Sequence, residues 1–149
     1  MNFSLSEDHE FLRDSAAKFV DERVDLSPLL RPGADVSAAG YDQLWDRIVE
    51  LGWSAITVPE VYGGLGMSYI DLVMIIGETG RTLAPSPLFG TLAGAWAIEK
   101  AGSEAQKSKY LPRLAEGMKL ALAVADENGS YENSKGDVTA TRTSDGFRL

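Results

Sequence analysis

The 149-residue chain contains no cysteine and only one histidine, His9. A disulfide framework and thiolate chemistry are therefore excluded, and a single histidine cannot by itself form a metal cluster. The net charge is -8 and the basic residues are scattered, whereas a nucleic-acid surface requires a basic stripe. No apolar run reaches the length of a membrane span, and the acidic N-terminus lacks a signal-peptide pattern. We therefore expect no metal, nucleic-acid or membrane partner, and a cytoplasmic location.

Five stretches of the chain show the helical spacing of apolar residues. With 44% hydrophobic and 24% charged residues, the composition is that of an ordinary folded domain. Ser6 is placed to cap the first helix, and Ser68 with Asp71 and Ser103 with Gln106 form capping boxes for the third and fifth. The predicted helices begin near residues 7, 38, 68, 87 and 103.

Two prolines affect the later helices. Ser86 is predicted to be the N-cap of the fourth helix, with Pro87 as its first residue. Pro112 is predicted to kink or split the fifth.

A glycine-rich loop separates the second and third helices. It follows Gly52, a residue suited to the left-handed position after a helix, and its sequence over residues 59–66 is PEVYGGLG. The loop has neither the preceding strand nor the lysine that a phosphate-binding loop requires. It is therefore predicted to turn the chain and to bring the third helix to the centre of the domain.

The third and fourth helices have unusual compositions. The third is apolar all round over residues 72–76, which predicts a central helix, and Gly77 and Gly80 predict close approach of a neighbouring backbone. The fourth carries a row of small residues, Gly90, Ala93, Gly94 and Ala97. Two readings of this row remain open, namely tight helix packing and space for a ligand.

The character of the chain changes after residue 118. Residues 120–125 are predicted to be a buried strand, residues 138–143 a second strand, and Ser144-Asp145-Gly146 a hairpin turn before a third. Because so few strands cannot form an independent sheet, we expect the start of a larger β-domain. The predicted fold is mainly α, with an all-α domain over residues 1–118 and an incomplete β-domain over 119–149.

The order of these signals resembles the acyl-CoA dehydrogenase family. The resemblance rests on six segments taken together, in one-letter code LGW at 51–53, VPEVYGGLG at 58–66, ETGR at 78–81, AGSEAQKSKYLP at 101–112, TA at 139–140 and DGFRL at 145–149. It implies the N-terminal helical domain and the first strands of the β-barrel of a three-domain flavoenzyme. Faces of the third and fourth helices that meet a C-terminal helical bundle in this family should be exposed in this chain.

The resemblance also implies a function. Enzymes of this family use FAD to desaturate an acyl-CoA thioester, and electrons pass to an electron-transfer flavoprotein or similar acceptor. The catalytic carboxylate usually belongs to the C-terminal bundle, so no catalytic residue is expected in this chain. The subunits are expected to form homo- or hetero-oligomers with another acyl-CoA dehydrogenase subunit.

Two sets of binding residues follow from the resemblance. The acyl group is expected to contact Ser86, Phe89, Gly90 and Ala93. The flavin is expected to contact Leu122, Val124, Ala125, Ser130 and Tyr131.

The expected flavin segment departs from the family pattern in two places. Ala125 provides no hydroxyl, and Tyr131 replaces a small residue. These departures resemble a bacterial subset whose members act as mixed complexes on bulky acyl-CoAs such as steroid side-chain thioesters. The alternative function is a non-catalytic helical interaction subunit that keeps the fold without binding FAD.

Overall fold

Helices form most of the computed structural model, which describes residues 4–35, 40–125 and 139–148. The five α-helices are α1 (Glu7–Arg23), α2 (Tyr41–Glu50), α3 (Tyr69–Arg81), α4 (Leu88–Ala101) and α5 (Glu104–Ala115). Short 3-10 turns cover Ser27–Leu30, Trp53–Ala55 and Glu60–Tyr62. Strands β1 (Thr141–Thr143) and β2 (Gly146–Arg148) pair antiparallel, with Thr141 opposite Arg148. The predicted mainly α fold is confirmed.

The capping residues act as the sequence predicts. The hydroxyls of Ser68 and Ser103 accept hydrogen bonds from the backbone amides of Asp71 and Gln106, whose side chains bond back to the serine amides. Ser6 caps α1 in the same way, with His9 as the reciprocal partner. Each box satisfies backbone donors that have no partner within the helix.

His9 on α1 also contacts α3. Its Nε2 atom lies 3.4 Å from Asp71 Oδ1, and only 23% of its side chain is exposed. The Asp71 carboxylate accepts a hydrogen bond from the Ser68 hydroxyl, and this bond, with the nearby His9, lowers the Asp71 pKa from its usual value. The N-termini of α1 and α3 are thereby joined.

The segment following α2 lies at the centre of the packing. Gly52 takes the predicted left-handed conformation with φ of 74°, and the chain then turns into residues 53–58. Trp53 and Ile56 belong to a core with Ile48 and Ile75, while Val58 belongs to a second core with residues of α5. This segment therefore joins the two hydrophobic cores.

The glycine-rich loop folds back onto this central segment. The amides of Leu65, Gly66 and Met67 donate to the carbonyl oxygens of Ala55, Val58 and Ile56, at 3.1, 2.9 and 2.9 Å respectively. A β-carbon at Gly64 would lie only 2.1 Å from the Val58 carbonyl oxygen. The loop turns the chain between α2 and α3, as predicted, through close contact of two backbones.

The predicted central position of α3 is wrong for the described residues. Ile75 and Thr79 are buried, but Ile70 and Val73 are 54% and 59% exposed. Nothing in the described structure approaches the position of a β-carbon at Gly77 or Gly80, so the expected close backbone contact is absent there. The apolar composition of α3 permits burial on all sides. Its actual burial depends on which segments pack against it.

Two further details of the helices differ from the sequence predictions, and a third lies outside the described residues. The predicted start of α2 near Ala38 lies outside the described residues, and the observed helix begins at Tyr41. The N-cap of α4 is Pro87 rather than Ser86. Pro112 does not split α5, which continues to Ala115 with Leu111 and Leu114 fully buried. Packing of these two leucines in the second core stabilises the helix before and after the proline.

The predicted strand over residues 120–125 is also wrong within the described structure. Residues 121–125 make no backbone hydrogen bond to other described residues, and a strand requires such a partner. The hairpin is present, with Ser144 and Asp145 as its turn, although Gly146 already belongs to β2.

None of the described helices is long and apolar enough to cross a membrane.

Candidate functional site: an apolar groove between two helices

An apolar groove of about 290 Å³ runs between α3 and α4. Each helix contributes four residues at the spacing i, i+3, i+4 and i+7, which places them on one helical face. The residues from α3 are Tyr69, Leu72, Val73 and Ile76, and those from α4 are Phe89, Leu92, Ala93 and Trp96. Thr57, from the central segment, completes the lining. Two matching helical stripes therefore form the walls.

The outer part of the groove exposes large apolar side chains to solvent. The exposed fractions are 73% for Phe89, 59% for Val73, 49% for Trp96 and 48% for Tyr69. Surface clusters of this kind mark binding sites more often than isolated exposed apolar residues do. Among the described residues, α3 and α4 thus each expose large apolar side chains, while the contact of these faces with a helical bundle stays a prediction.

The groove can bind apolar groups but offers little reactive chemistry. Among the described residues, its lining contains no carboxylate, imidazole or amine, and the only titratable group is the Tyr69 phenol. Ala93, a small residue in the α4 wall, leaves more room than a larger side chain would. The lining is suited to recognising an alkyl or ring system by burial of apolar surface.

The four residues predicted to bind the acyl group occupy three environments. Phe89 and Ala93 line the groove, whereas Ser86 and Phe89 line a neighbouring depression of about 370 Å³ beside the end of α3. Gly90 belongs to neither, because a β-carbon there would lie 3.4 Å from the Leu120 carbonyl oxygen. Both readings of the small-residue row therefore apply to different residues: Ala93 leaves space, and Gly94 permits tight packing against Leu120.

Six of the eight helix residues that line the groove were not predicted as site residues. Residues 69, 72, 73 and 76 on α3 and 89, 92, 93 and 96 on α4 repeat the same spacing. Because both helices are apolar on most of their faces, this spacing is compatible with an apolar face at these positions but does not single it out. It does not reveal that the two faces lie next to each other, since their meeting depends on how the glycine-rich loop and the α3–α4 turn orient the helices.

The residues predicted to contact flavin are only partly described. Leu122, Val124 and Ala125 lie in the exposed segment after α5, with Leu122 44% and Val124 47% exposed. Ser130 and Tyr131 lie outside the described residues. In the described part, the side chains are apolar, so only main-chain amides and carbonyls can hydrogen-bond a ligand.

The perturbed titratable groups nearest α5 lie away from the groove lining. A hydrogen bond from Lys107, together with one from Tyr62, lowers the pKa of the Glu104 carboxylate, and the same Glu104 bond raises the pKa of Tyr62. This network joins the 3-10 turn over 60–62 to the start of α5. Among the described residues no group of three or more potential ligands could hold a metal ion.

Comparison with known proteins gives a consistent result. Residues 6–118 match the family model described as "Acyl-CoA dehydrogenase, N-terminal domain". The acyl-CoA dehydrogenase IpdE2 of Mycolicibacterium smegmatis is 34% identical over 122 residues, covering 80% of this chain and 37% of the relative. The mitochondrial isovaleryl-CoA dehydrogenase of Pongo abelii is 33% identical over 136 residues, covering 86% and 31%.

A solved structure of similar fold adds to this result. A variant of the Tcur3481-Tcur3483 steroid ACAD superposes with a TM-score of 0.79 at 27% identity, covering 97% of this chain and 40% of the other. The chain thus spans less than half the length of the relatives it matches. Because the model of its N-terminal domain matches residues 6–118, the chain belongs to the acyl-CoA dehydrogenase family.

Proposed function

We propose that this chain supplies one wall of the acyl-binding pocket of an FAD-dependent acyl-CoA dehydrogenase. The observation that carries the proposal is the apolar groove between α3 and α4, whose lining includes Phe89 and Ala93. Burial of an acyl chain would remove exposed apolar surface from water, which contributes roughly 25 cal/mol per Å². The 1–118 domain boundary, predicted from the sequence, is part of this proposal.

The chain's own role in the reaction is binding and exclusion of water. The flavin, when bound, supplies the acceptor for the hydride lost in desaturation. Walls formed by Leu72, Ile76 and Leu92 would hold the acyl group in an apolar environment, where charges of the reacting centre interact more strongly than in water. We assign no catalytic residue to this chain, because the groove lining offers no general base.

We infer that the acyl group is bulky. Ala93 is the smallest side chain in the α4 wall, and Phe89 and Trp96 in the same wall are exposed to solvent. The likeness to a protein named as a steroid ACAD supports a ring-containing or branched substrate. A partner subunit of the same family, an electron-transfer flavoprotein or similar acceptor, and a cytoplasmic location belong to the same proposal.

The substitution Ala93→Leu tests the pocket. We expect kcat/KM of the full-length protein, assayed with its partner, to fall about tenfold for a steroid or branched acyl-CoA, because the added carbons fill the groove. The kcat/KM for a short linear acyl-CoA should fall less than threefold, because the smaller acyl group needs less of the space that the added carbons fill. Steady-state kinetics with the two substrates provides the measurement.

A matched control is available one turn further along α4. Ala97 is a half-buried alanine on the same helix that lines a different depression, with Ala101 and Tyr110. Ala97→Leu should therefore affect both substrates equally. Equal losses for the bulky and the short substrate with Ala93→Leu would contradict the assignment of the groove as the acyl site.

The second candidate function is a helical subunit of a mixed complex that does not bind FAD. Ala125, which has no hydroxyl, favours this alternative, since the described flavin segment offers main-chain groups only. Flavin content per subunit decides between the two. When the protein is co-expressed with its partner subunit, the first function predicts one FAD per chain and the second predicts half that number. One FAD per chain in the protein purified alone would exclude the second function.

A further inference from the structure

The connection from α5 to the segment 121–125 is held by a side chain of α4. The backbone amide of Leu120 donates a hydrogen bond to Thr91 Oγ1 at 3.2 Å. Thr91 is fully buried, and its own amide donates to the Pro87 carbonyl oxygen at the start of α4. We propose that Thr91 is a positioning residue that fixes where the main chain of residues 121–125 leaves the helical domain.

The surface around Thr91 is shaped to receive Leu120. A β-carbon at Gly94 would lie 2.8 Å from Leu120 Cβ, so a larger residue there would displace the segment. Gly94 is buried, and it follows Thr91 by about one helical turn on the same face. Thr91 and Gly94 therefore form one contact surface for Leu120. The Thr91 hydroxyl bonds the Leu120 amide, and Gly94 leaves room for the Leu120 side chain.

The residues immediately before Leu120 are fixed by separate contacts. The Trp45 indole donates to the Gly117 carbonyl oxygen at 3.0 Å, and the Met118 amide donates to the Arg113 carbonyl oxygen at 2.9 Å. Lys119 Nζ lies 3.3 Å from Asp42 Oδ1. Leu120 is thus the last residue of this run with a bond to the helical domain.

The next residues, 121–125, are exposed. Residues 121–125 make no backbone hydrogen bond to other described residues. Since successive residues are joined by a stiff backbone with two soft dihedrals each, the position of Leu120 limits where Leu122 and Val124 can lie. Thr91 therefore acts on these main-chain groups through Leu120.

This inference rests on the proposed function, in which the main chain of residues 122–125 contacts flavin. A binding site formed by main-chain groups cannot adjust by rotamer changes, so its accuracy depends on the anchoring of the backbone. Loss of the Thr91 hydroxyl should therefore weaken flavin binding even though Thr91 itself does not contact the flavin. A purely packing role for Thr91 would depend on its volume and not on its hydroxyl.

The substitution Thr91→Val separates these roles because it keeps the shape and removes the hydroxyl. In the full-length protein with its partner, we expect hydrogen exchange at the Leu120 amide to become about tenfold faster, the size expected for loss of a buried hydrogen bond. Flavin content and the visible flavin spectrum should fall with it. Thr91→Ser, which restores the hydroxyl, should recover both. Mass spectrometry with fragmentation reports the amide, and absorbance reports the flavin.

Thr79→Val is the matched control. Thr79 is also buried, but its hydroxyl donates to the Ile76 carbonyl oxygen within its own helix, so the Leu120 amide should exchange as in the wild type. Unchanged exchange at Leu120 in Thr91→Val would overturn the anchoring role. Faster exchange with unchanged flavin content would overturn its link to the flavin. Absence of flavin from the wild-type complex would overturn the proposed function, while the exchange measurement would still decide the anchoring role.

Discussion

Replacing Gly64 by alanine is expected to destabilise the fold by at least about 3 kcal/mol, at the upper end of overpacking effects. The new β-carbon would lie 2.1 Å from the Val58 carbonyl oxygen and 2.4 Å from Val58 Cβ. Neither atom can move by a rotamer change. The same carbonyl accepts the Gly66 amide at 2.9 Å, so displacement would also break this bond. Urea unfolding followed by circular dichroism measures the loss.

Gly63→Ala is the control, because it adds the same methyl group to the adjacent residue. Gly63 has φ of 80°, and nothing lies within 4 Å of its β-carbon position. The expected cost is therefore only the left-handed backbone penalty of about 1 kcal/mol. If Gly64→Ala yields no folded protein while Gly63→Ala does, the expectation is also met. Equal stability of the two variants would show that the close contact of the loop with Val58 is not essential.

Ile75→Ala is expected to lower the free energy of unfolding by about 3 kcal/mol, within the range for large-to-small core substitutions. Ile75 is fully buried on the inner face of α3 and packs in the core that includes Ala16, Ile48 and Leu88. Removing three carbons leaves a cavity that these neighbours can fill only in part. Chemical denaturation at constant m-value provides the measurement.

Val73→Ala tests whether position on the helix, and not composition, determines this cost. Val73 lies on the same helix but is 59% exposed in the groove wall. Its truncation should cost about 0.5 kcal/mol or less, as for most exposed sites. A loss as large as that of Ile75→Ala would mean that the groove face of α3 is covered in solution.

The features predicted correctly depend on residues close together in the chain. The capping boxes at Ser68 and Ser103 involve a hydroxyl and a side chain three residues later, so their geometry is complete within one helical turn. The left-handed Gly52 and the turn at Ser144 and Asp145 are equally local. The family was identified from the order of such local segments along the chain.

The incorrect predictions concern residues whose environment depends on distant parts of the chain. Gly77 and Gly80 have open space where close backbone contact was expected, while Gly64 and Gly94 have the close contacts. A glycine permits close approach, but only the arrangement of neighbouring segments determines whether it occurs. The same reason explains why residues 120–125, apolar enough for a strand, form none in the described structure.

The candidate site illustrates both contributions. The sequence alone determined that α3 and α4 are largely apolar helices, but it did not single out the faces that line the groove. Only the tertiary structure determined that one face of each helix lines the groove, that Ala93 opens into it, and that Gly90 is turned towards Leu120. The physical reason is that helical periodicity is a property of the local backbone. Contact between helices depends instead on the turns that connect them and on the side chains buried between them.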